Sequence, residues 1–374
     1  MILNLARGAV TILTSIFLLV SCAQVGGENS FVYIPRQGDE ATGVYNNETL
    51  ELITTIPTNG QSIDSRMMPD RTKVFIINVT NPTVAVIRAN CPESKQEWSD
   101  AERANGECIP NTKYGTITVP DGDAGAGYIS ISRDGERAYL ASNTHDSKFP
   151  DSDVVSVIDT KTASIIRRLT PPEGTIAVES SPDGKVLWAG TRDGYVQSFD
   201  PITGEVLGKK LFVNVAPATI KVSLDGSMLF TGNINFEGDE SVGIVSVVDT
   251  QTTELIKQIE VGRGTYILSL ETSKNGKTIW TANGNNTVSV IDTRSLEVIK
   301  TITTPFTTTE GVDISPDGKR VIVIGFTGEG FTPDAPSTSD SAYGVFYSTE
   351  TFEALTDPVF IGNNSGGIPS MSPF

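Results

Sequence analysis

The chain has 374 residues and a formal charge of −17, with 28 Lys and Arg set against 45 Asp and Glu. So acidic a surface repels nucleic acid and anionic lipid headgroups, which excludes a nucleic-acid-binding role. The length exceeds what one hydrophobic core usually organises, a limit that a fold of repeated units evades by giving every pair of neighbours its own core.

At the start, Arg7 precedes an apolar run from Ala9 to Val20 that is too short for a permanent membrane span and ends in small residues. Such a run is a secretion signal. Its exit, Leu19-Val20-Ser21-Cys22, resembles the lipobox of bacterial lipoproteins, in which the cysteine is diacylated and becomes the first mature residue. The resemblance implies a signal peptide at 1–21, a lipid on Cys22, a polar, Gly-containing flexible tether at 22–30 and one domain at 31–374. It also implies a cell-envelope location outside the cytoplasm. With Ala23 rather than an acidic residue after the cysteine, the outer membrane is the expected one. Loss of Arg7 with the leader takes the formal charge to about −18.

Two cysteines remain, Cys91 and Cys108, and in an oxidising compartment they are expected to form a disulfide. The loop they close is short enough for the bond to contribute about 3 kcal/mol.

Beyond the tether the chain repeats itself. VSVIDT at Val155 to Thr160 returns as VSVVDT at Val245 to Thr250 and as VSVIDT at Val288 to Thr293. Hairpin signals recur upstream of such runs: SRDG ending at Gly135, SPDG at Gly184, SLDG at Gly226, SKNG at Gly276 and SPDG at Gly318. The spacing of roughly 42 to 50 residues is that of one four-stranded propeller blade per repeat. Alternation in Lys185 to Gly190 (KVLWAG) and Lys277 to Ala282 (KTIWTA) supports strands over helices. Asp-Gly and Asn-Gly supply tight turns, and Asp159, Asp249 and Asp292 are expected to cap turns rather than do chemistry.

In chain order the second blade begins at Ser62, the third at Tyr128, the fourth at Ile176, the fifth at Thr219, the sixth at Tyr266 and the seventh at Gly311. Two pieces are left over: Phe31 to Pro57 with three strand-like runs, and Gly367 to Phe374 with one. Joined, they complete a blade. The expected fold is therefore all-β, a seven-bladed β-propeller of four-stranded blades closed by the C-terminal strand joining the N-terminal strands.

SPDGK, together with WTANGNNTVSVIDTRSLEVIKTI from Trp280 to Ile302, resembles the YVTN family of propeller repeats, a branch of the lactonase-like seven-bladed propellers. The likeness spans nearly the whole mature chain. It implies the fold strongly and the activity weakly, since that family includes envelope proteins of unknown ligand and its relatives include sugar-lactone hydrolases and a haem-binding domain.

Candidate chemistry is sparse. His145 is the only histidine, it sits in a connecting loop, and no CxxCH sequence accompanies it, so neither a haem ligand set nor a Ser-His-Asp triad can be assembled. No catalytic residue is assigned and no cofactor is expected.

Three connections between second and third strands are long, and they combine carboxylates with a phenylalanine: Phe149 with Asp151 and Asp153; Phe236 with Glu237 and Asp239; Phe331 with Asp334. Exposed aromatics among carboxylates suit a protein or glycan partner, and tolerated surface insertions are the bland alternative. The carboxylates offer oxygen ligands to Ca2+, but no EF-hand spacing occurs. The cysteine-bounded insertion should leave by the opposite face.

A second candidate comes from aligning the inner strands on their hairpins. Arg66, Ser130, Glu179, Lys221, Glu271, Asp313 and Ser370 fall at equivalent positions, flanked by apolar residues, and should ring the central channel. Pairing of Glu179, Lys221 and Glu271 across blades is one reading of them, and a polar mouth for a small ligand or cation is the other. The leading expectation for the whole chain is a monomeric, lipid-anchored, non-catalytic binding or scaffold propeller. The alternative is a lactonase-like hydrolase acting on a small sugar lactone at the channel.

Overall fold

The computed structural model describes residues 30–78, 80–81, 83–119, 126–142, 154–171, 174–234, 241–327, 341–363 and 369–371. They form seven four-stranded antiparallel sheets, each a meander, arranged as the blades of a ring. The inner strands of blades 2 to 7 are Ser62–Met67, Ala126–Ile131, Thr175–Ser180, Pro217–Val222, Ile267–Thr272 and Thr308–Ile314. All six lie where the repeat phasing puts them.

Blade 1 is shared between the chain ends. Ser370–Met371 supplies its inner strand, and Phe31–Arg36, Ala41–Asn46 and Leu52–Pro57 supply the other three. Tyr33 pairs with Ser370 and Val32 with Met371. The last strand is short, but it covers the sheet edge that Phe31–Arg36 would otherwise expose.

The apolar core is divided among the blade boundaries. Among the described residues seven buried clusters occur, and each draws its side chains from two adjacent blades. In Leu187–Thr191, Trp188 packs toward blade 5 while Leu187 and Ala189 pack toward blade 3. A strand buried on both sides needs apolar residues at successive positions, which is why the repeats read as near-continuous apolar runs.

Turns are built from the repeated motifs. In blade 5 the Ser223 hydroxyl donates to Asp225 Oδ1 at 2.6 Å, that oxygen accepts from the Ser227 amide at 3.0 Å, and the Met228 amide donates to Ser223 Oγ at 2.9 Å. The same set recurs at Ser132, Ser181, Ser273 and Ser315. Gly226 closes the turn at φ 77°, a conformation that costs a side chain free energy. Asp249 and Asp292 accept from the amides of Thr252 and Ser295, so these aspartates do cap turns. The threonine that follows ties the two turns of a blade together: Thr250 Oγ1 donates to the Gly226 carbonyl at 2.5 Å and Thr293 Oγ1 to that of Gly276 at 2.7 Å.

The hairpins of blades 2 to 7 and the Asp-Thr turns of blades 3, 5 and 6 lie at the same end of their blades. The long connections of blades 3, 5 and 7 leave from the other end, after Ser142, Asn233 and Thr327.

The expected disulfide is present, Cys91 to Cys108, and it closes an insertion at the hairpin end of blade 2. Inside it stands the helix Asp100–Asn105, started by a capping box between Ser99 and Glu102. Arg88, 1% exposed, holds that helix down: its Nε and Nη2 each donate to a Glu102 carboxylate oxygen at 2.8 Å. The Asn90 side chain donates to the Arg71 carbonyl at 3.0 Å, which fixes the insertion to the hairpin end.

Candidate functional site

The inner strands alternate, so every second side chain turns to the channel. Arg66, Ser130, Glu179, Lys221, Glu271 and Asp313 stand at equivalent rungs of their inner strands, opposite Phe75, Tyr139, Trp188, Phe230, Trp280 and Ile322, and the backbone of Ser370 takes that rung in blade 1 opposite Tyr33. Lys221 and Glu271 meet across the boundary of blades 5 and 6 at 3.0 Å. Burial works against both charges. The pairing outweighs it, so Lys221 is held above its usual range, with Glu179 assisting Glu271, and Glu271 is held below its own.

The remaining carboxylates are less well compensated. Burial raises Glu179, and the nearby Lys221 only partly offsets it. Burial likewise pushes Asp313 up to about 6, although its Oδ2 accepts the Met371 amide at 2.7 Å. That last bond joins blade 7 to the closing strand. Deeper in the channel the fully buried Asp64 lies 3.1 Å from Arg66 Nη1, and burial pushes its carboxyl up to about 6 as well. Asp64 was not singled out from the sequence. Its position two residues before Arg66, on the same side of the strand, is the signal that marks it.

Above the ring the channel mouth widens into a cavity of about 360 Å3, bordered by Arg66, Arg71, Glu271, Lys274, Asp313 and Met371. It lies off the axis, toward blades 6, 7, 1 and 2. At the same end Arg133 of blade 3 donates to the Leu224 carbonyl of blade 5 at 3.4 Å. Among the described residues no group of three or more His, Cys, Asp or Glu side chains is placed to hold a metal ion.

Cys22, His145 and the loop residues Phe149, Asp151, Asp153, Phe236, Glu237, Asp239, Phe331 and Asp334 lie outside the described residues. The strands that carry those loops are described. In blades 5 and 7 they are lengthened: Val242–Asp249, Arg320–Thr327 and Ser341–Ser348 have 8 residues each, whereas the corresponding strands of blade 6, Thr278–Asn283 and Thr287–Asp292, have 6. Extra rungs such as Phe326 with Ala342 and Thr327 with Ser341 continue the ladder toward the loop base.

No protein-family model matches the chain, and no curated protein matches its sequence. Among solved structures it is similar to a functionally unknown protein from Desulfotomaculum acetoxidans DSM 771, at 13% identity and a TM-score of 0.67 over 91% of this chain and 98% of that one. It is also similar to Kuenenia stuttgartiensis hydrazine synthase, at 19% identity and a TM-score of 0.53 over 64% of this chain and 67% of that one. The likeness is one of fold. Function has to be argued from the chain's own residues.

Proposed function

We propose that this chain is a non-catalytic binding propeller of a bacterial cell envelope, of YVTN type, anchored by a lipid on Cys22. It acts as a monomer and recognises a protein or glycan partner through the connections at 143–153, 233–241 and 327–340, with Phe149, Phe236 and Phe331 as aromatic anchors among carboxylates. The observation that carries this reading is the position of the two ends of the apparatus. Phe31 begins its strand at the hairpin end of blade 1, where Val32 pairs with Met371, so the tether at 22–30 joins the disc on that face. Nine extended residues reach at most about 30 Å, which holds the hairpin face toward the membrane. The strands that carry the long connections end at the far face, at Ser142, Asn233 and Thr327, so on this reading the connections are presented outward.

The alternative, a hydrolase acting on a sugar lactone at the channel, requires Glu179 and Glu271 to share a metal or a water. Lys221 stands between them, 3.0 Å from Glu271, and supplies the positive charge that a metal would bring. That favours the binding reading.

Two measurements test it. Mass spectrometry of the chain expressed with its leader should find acyl chains on Cys22 and none in Cys22→Ala. Capture from envelope extract should be lost when Phe149, Phe236 and Phe331 are replaced together by Ser. Unchanged capture by the triple variant refutes the loop-face reading.

A further inference from the structure

The cavity at the channel mouth has a chemistry of its own, independent of the loop face. Of the chain's five methionines, three border it: Met67, half-buried, and Met68 and Met371, which are also packed into the blade 2/3 and blade 7/1 cores and keep 5% and 4% of their surface exposed. Pro316 and Pro369 complete an apolar wall. Methionine is flexible and polarisable, and adapts to apolar bodies of varied shape. The same cavity is also bordered by the cations Arg66, Arg71 and Lys274. Arg66 is engaged with Asp64, whereas Arg71 and Lys274 form no salt bridge with a described residue. Of the carboxylates at the cavity, Glu271 is paired with Lys221, and Asp313 accepts the Met371 amide while Lys274 is the leading charge that offsets its burial.

Arg71 is also out of pattern. In blades 3 to 7 the corresponding hairpin position is Gly135, Gly184, Gly226, Gly276 and Gly318, all at φ between 69° and 77°. Blade 2 adopts the same conformation, φ 66°, with an arginine. A non-glycine residue there is disfavoured, so the hairpin carries strain and gains a guanidinium at the cavity.

We infer that this cavity binds a small organic anion, its apolar body against Met67, Met68 and Met371 and its carboxylate or phosphate head on Arg71 and Lys274. The volume of about 360 Å3 falls at the lower end of ordinary ligand sites, which fits a single ring or short chain with one acidic head. The planar guanidinium and the mobile ammonium together suit either head group.

The methionines make the test direct. In protein labelled with 13C at the methionine methyls, Met67, Met68 and Met371 report on the cavity, and Met228, which packs at the blade 5/6 boundary, is an internal control. Titration with 3-phenylpropionate and with phenyl phosphate should shift the three cavity methyls saturably, at least with one of the two, and leave Met228 unmoved. The anion that shifts them identifies the head group. 3-Phenylpropylamine, with the same body and opposite charge, should not bind. Arg71→Gly restores the glycine of the other hairpins, so its Tm should equal or exceed that of the parent, while anion affinity falls about tenfold for one lost charge-assisted contact. Lys274→Ala should weaken binding similarly. The inference is overturned by methyls that fail to move, by equal binding of the amine, by Met228 responding alike, or by undiminished affinity in Arg71→Gly. None of these outcomes bears on capture through the far-face loops, so the two readings fail separately.

Discussion

Lys221 and Glu271 meet across the boundary between blades 5 and 6 at 3.0 Å, with side chains 14% and 17% exposed. The pair is mostly removed from water, so its two members depend on each other more than a surface pair would. Lys221→Met alone strands the Glu271 carboxylate and should lower unfolding free energy by about 2–3 kcal/mol. Lys221→Met with Glu271→Leu should recover part of that loss, because the Glu271 carboxylate is no longer stranded, while Glu179 still lacks the charge of Lys221. Denaturant titrations of the two variants check this. A double variant no better than the single would show that the pair is not mutually dependent.

The raised aspartates give a pH signature. Asp64 and Asp313 each move from an ordinary 3.8 to about 6, so between those values the folded chain holds protons that the unfolded chain has released. Their contribution to stability is present in full below about 4 and is lost as pH rises through about 6. Stability should therefore fall between about pH 5 and pH 7, by about 1–2 kcal/mol per group. The hairpin aspartates Asp134, Asp183, Asp225 and Asp317 have lowered values, so their loss begins at more acid pH, outside this window. Urea midpoints measured across the range should show a shallower slope in Asp313→Asn. An identical slope would remove Asp313 from the account.

The insertion on blade 2 is held twice, by the disulfide and by the Arg88 to Glu102 ion pair. Glu102→Ala leaves a guanidinium that is 1% exposed without its counter-charge and should cost about 3 kcal/mol even with the disulfide intact. Reduction of the parent should cost a comparable amount, about 3 kcal/mol. Hydrogen exchange over 92–107 should rise in either case, and protection there that survives both changes would contradict the clamp.

Ring closure rests on two residues at the end of the chain. A chain ending at 368 loses the pairing of Ser370 with Tyr33 and the buried Met371, and the latter alone should cost about 2–5 kcal/mol. The uncovered edge of Phe31–Arg36 should then drive concentration-dependent association, visible by sedimentation. A truncated chain that stays monomeric and unfolds at the parental midpoint would mean that the seam is not held by that strand.

Most of the fold was legible because the repeat leaves two marks, the glycine-closed hairpin of blades 3 to 7 and the Val-Ser-Val-Ile/Val-Asp-Thr strand of blades 3, 5 and 6. With both phases known, Tyr33 and Ser370 fall into one sheet by counting alone. The shared rung of Arg66, Glu179, Lys221, Glu271 and Asp313 was legible for a similar reason, since the hairpin phase fixes each residue's place in its strand. Who pairs with whom was not. The geometry that joins Lys221 to Glu271 and Asp313 to the Met371 amide depends on the angle between blades, which no single repeat encodes. The cavity was missed for another reason: Met67, Met68 and Met371 come from opposite ends of the chain. A clue was present in blade 2, whose Met-Pro-Asp-Arg departs from the glycine of every other hairpin. Arg88 and Glu102 were also unmarked, because an insertion carries no repeat to align against.

The most direct test of the far-face recognition account is hydrogen exchange of the intact mature chain, free and bound to the partner it captures. The account predicts slowed exchange in peptides covering 143–153, 233–241 and 327–340, with the hairpins at 132–137, 181–186 and 223–228 unchanged. Slowed exchange confined to those hairpins, with the three long connections unaffected, would contradict it.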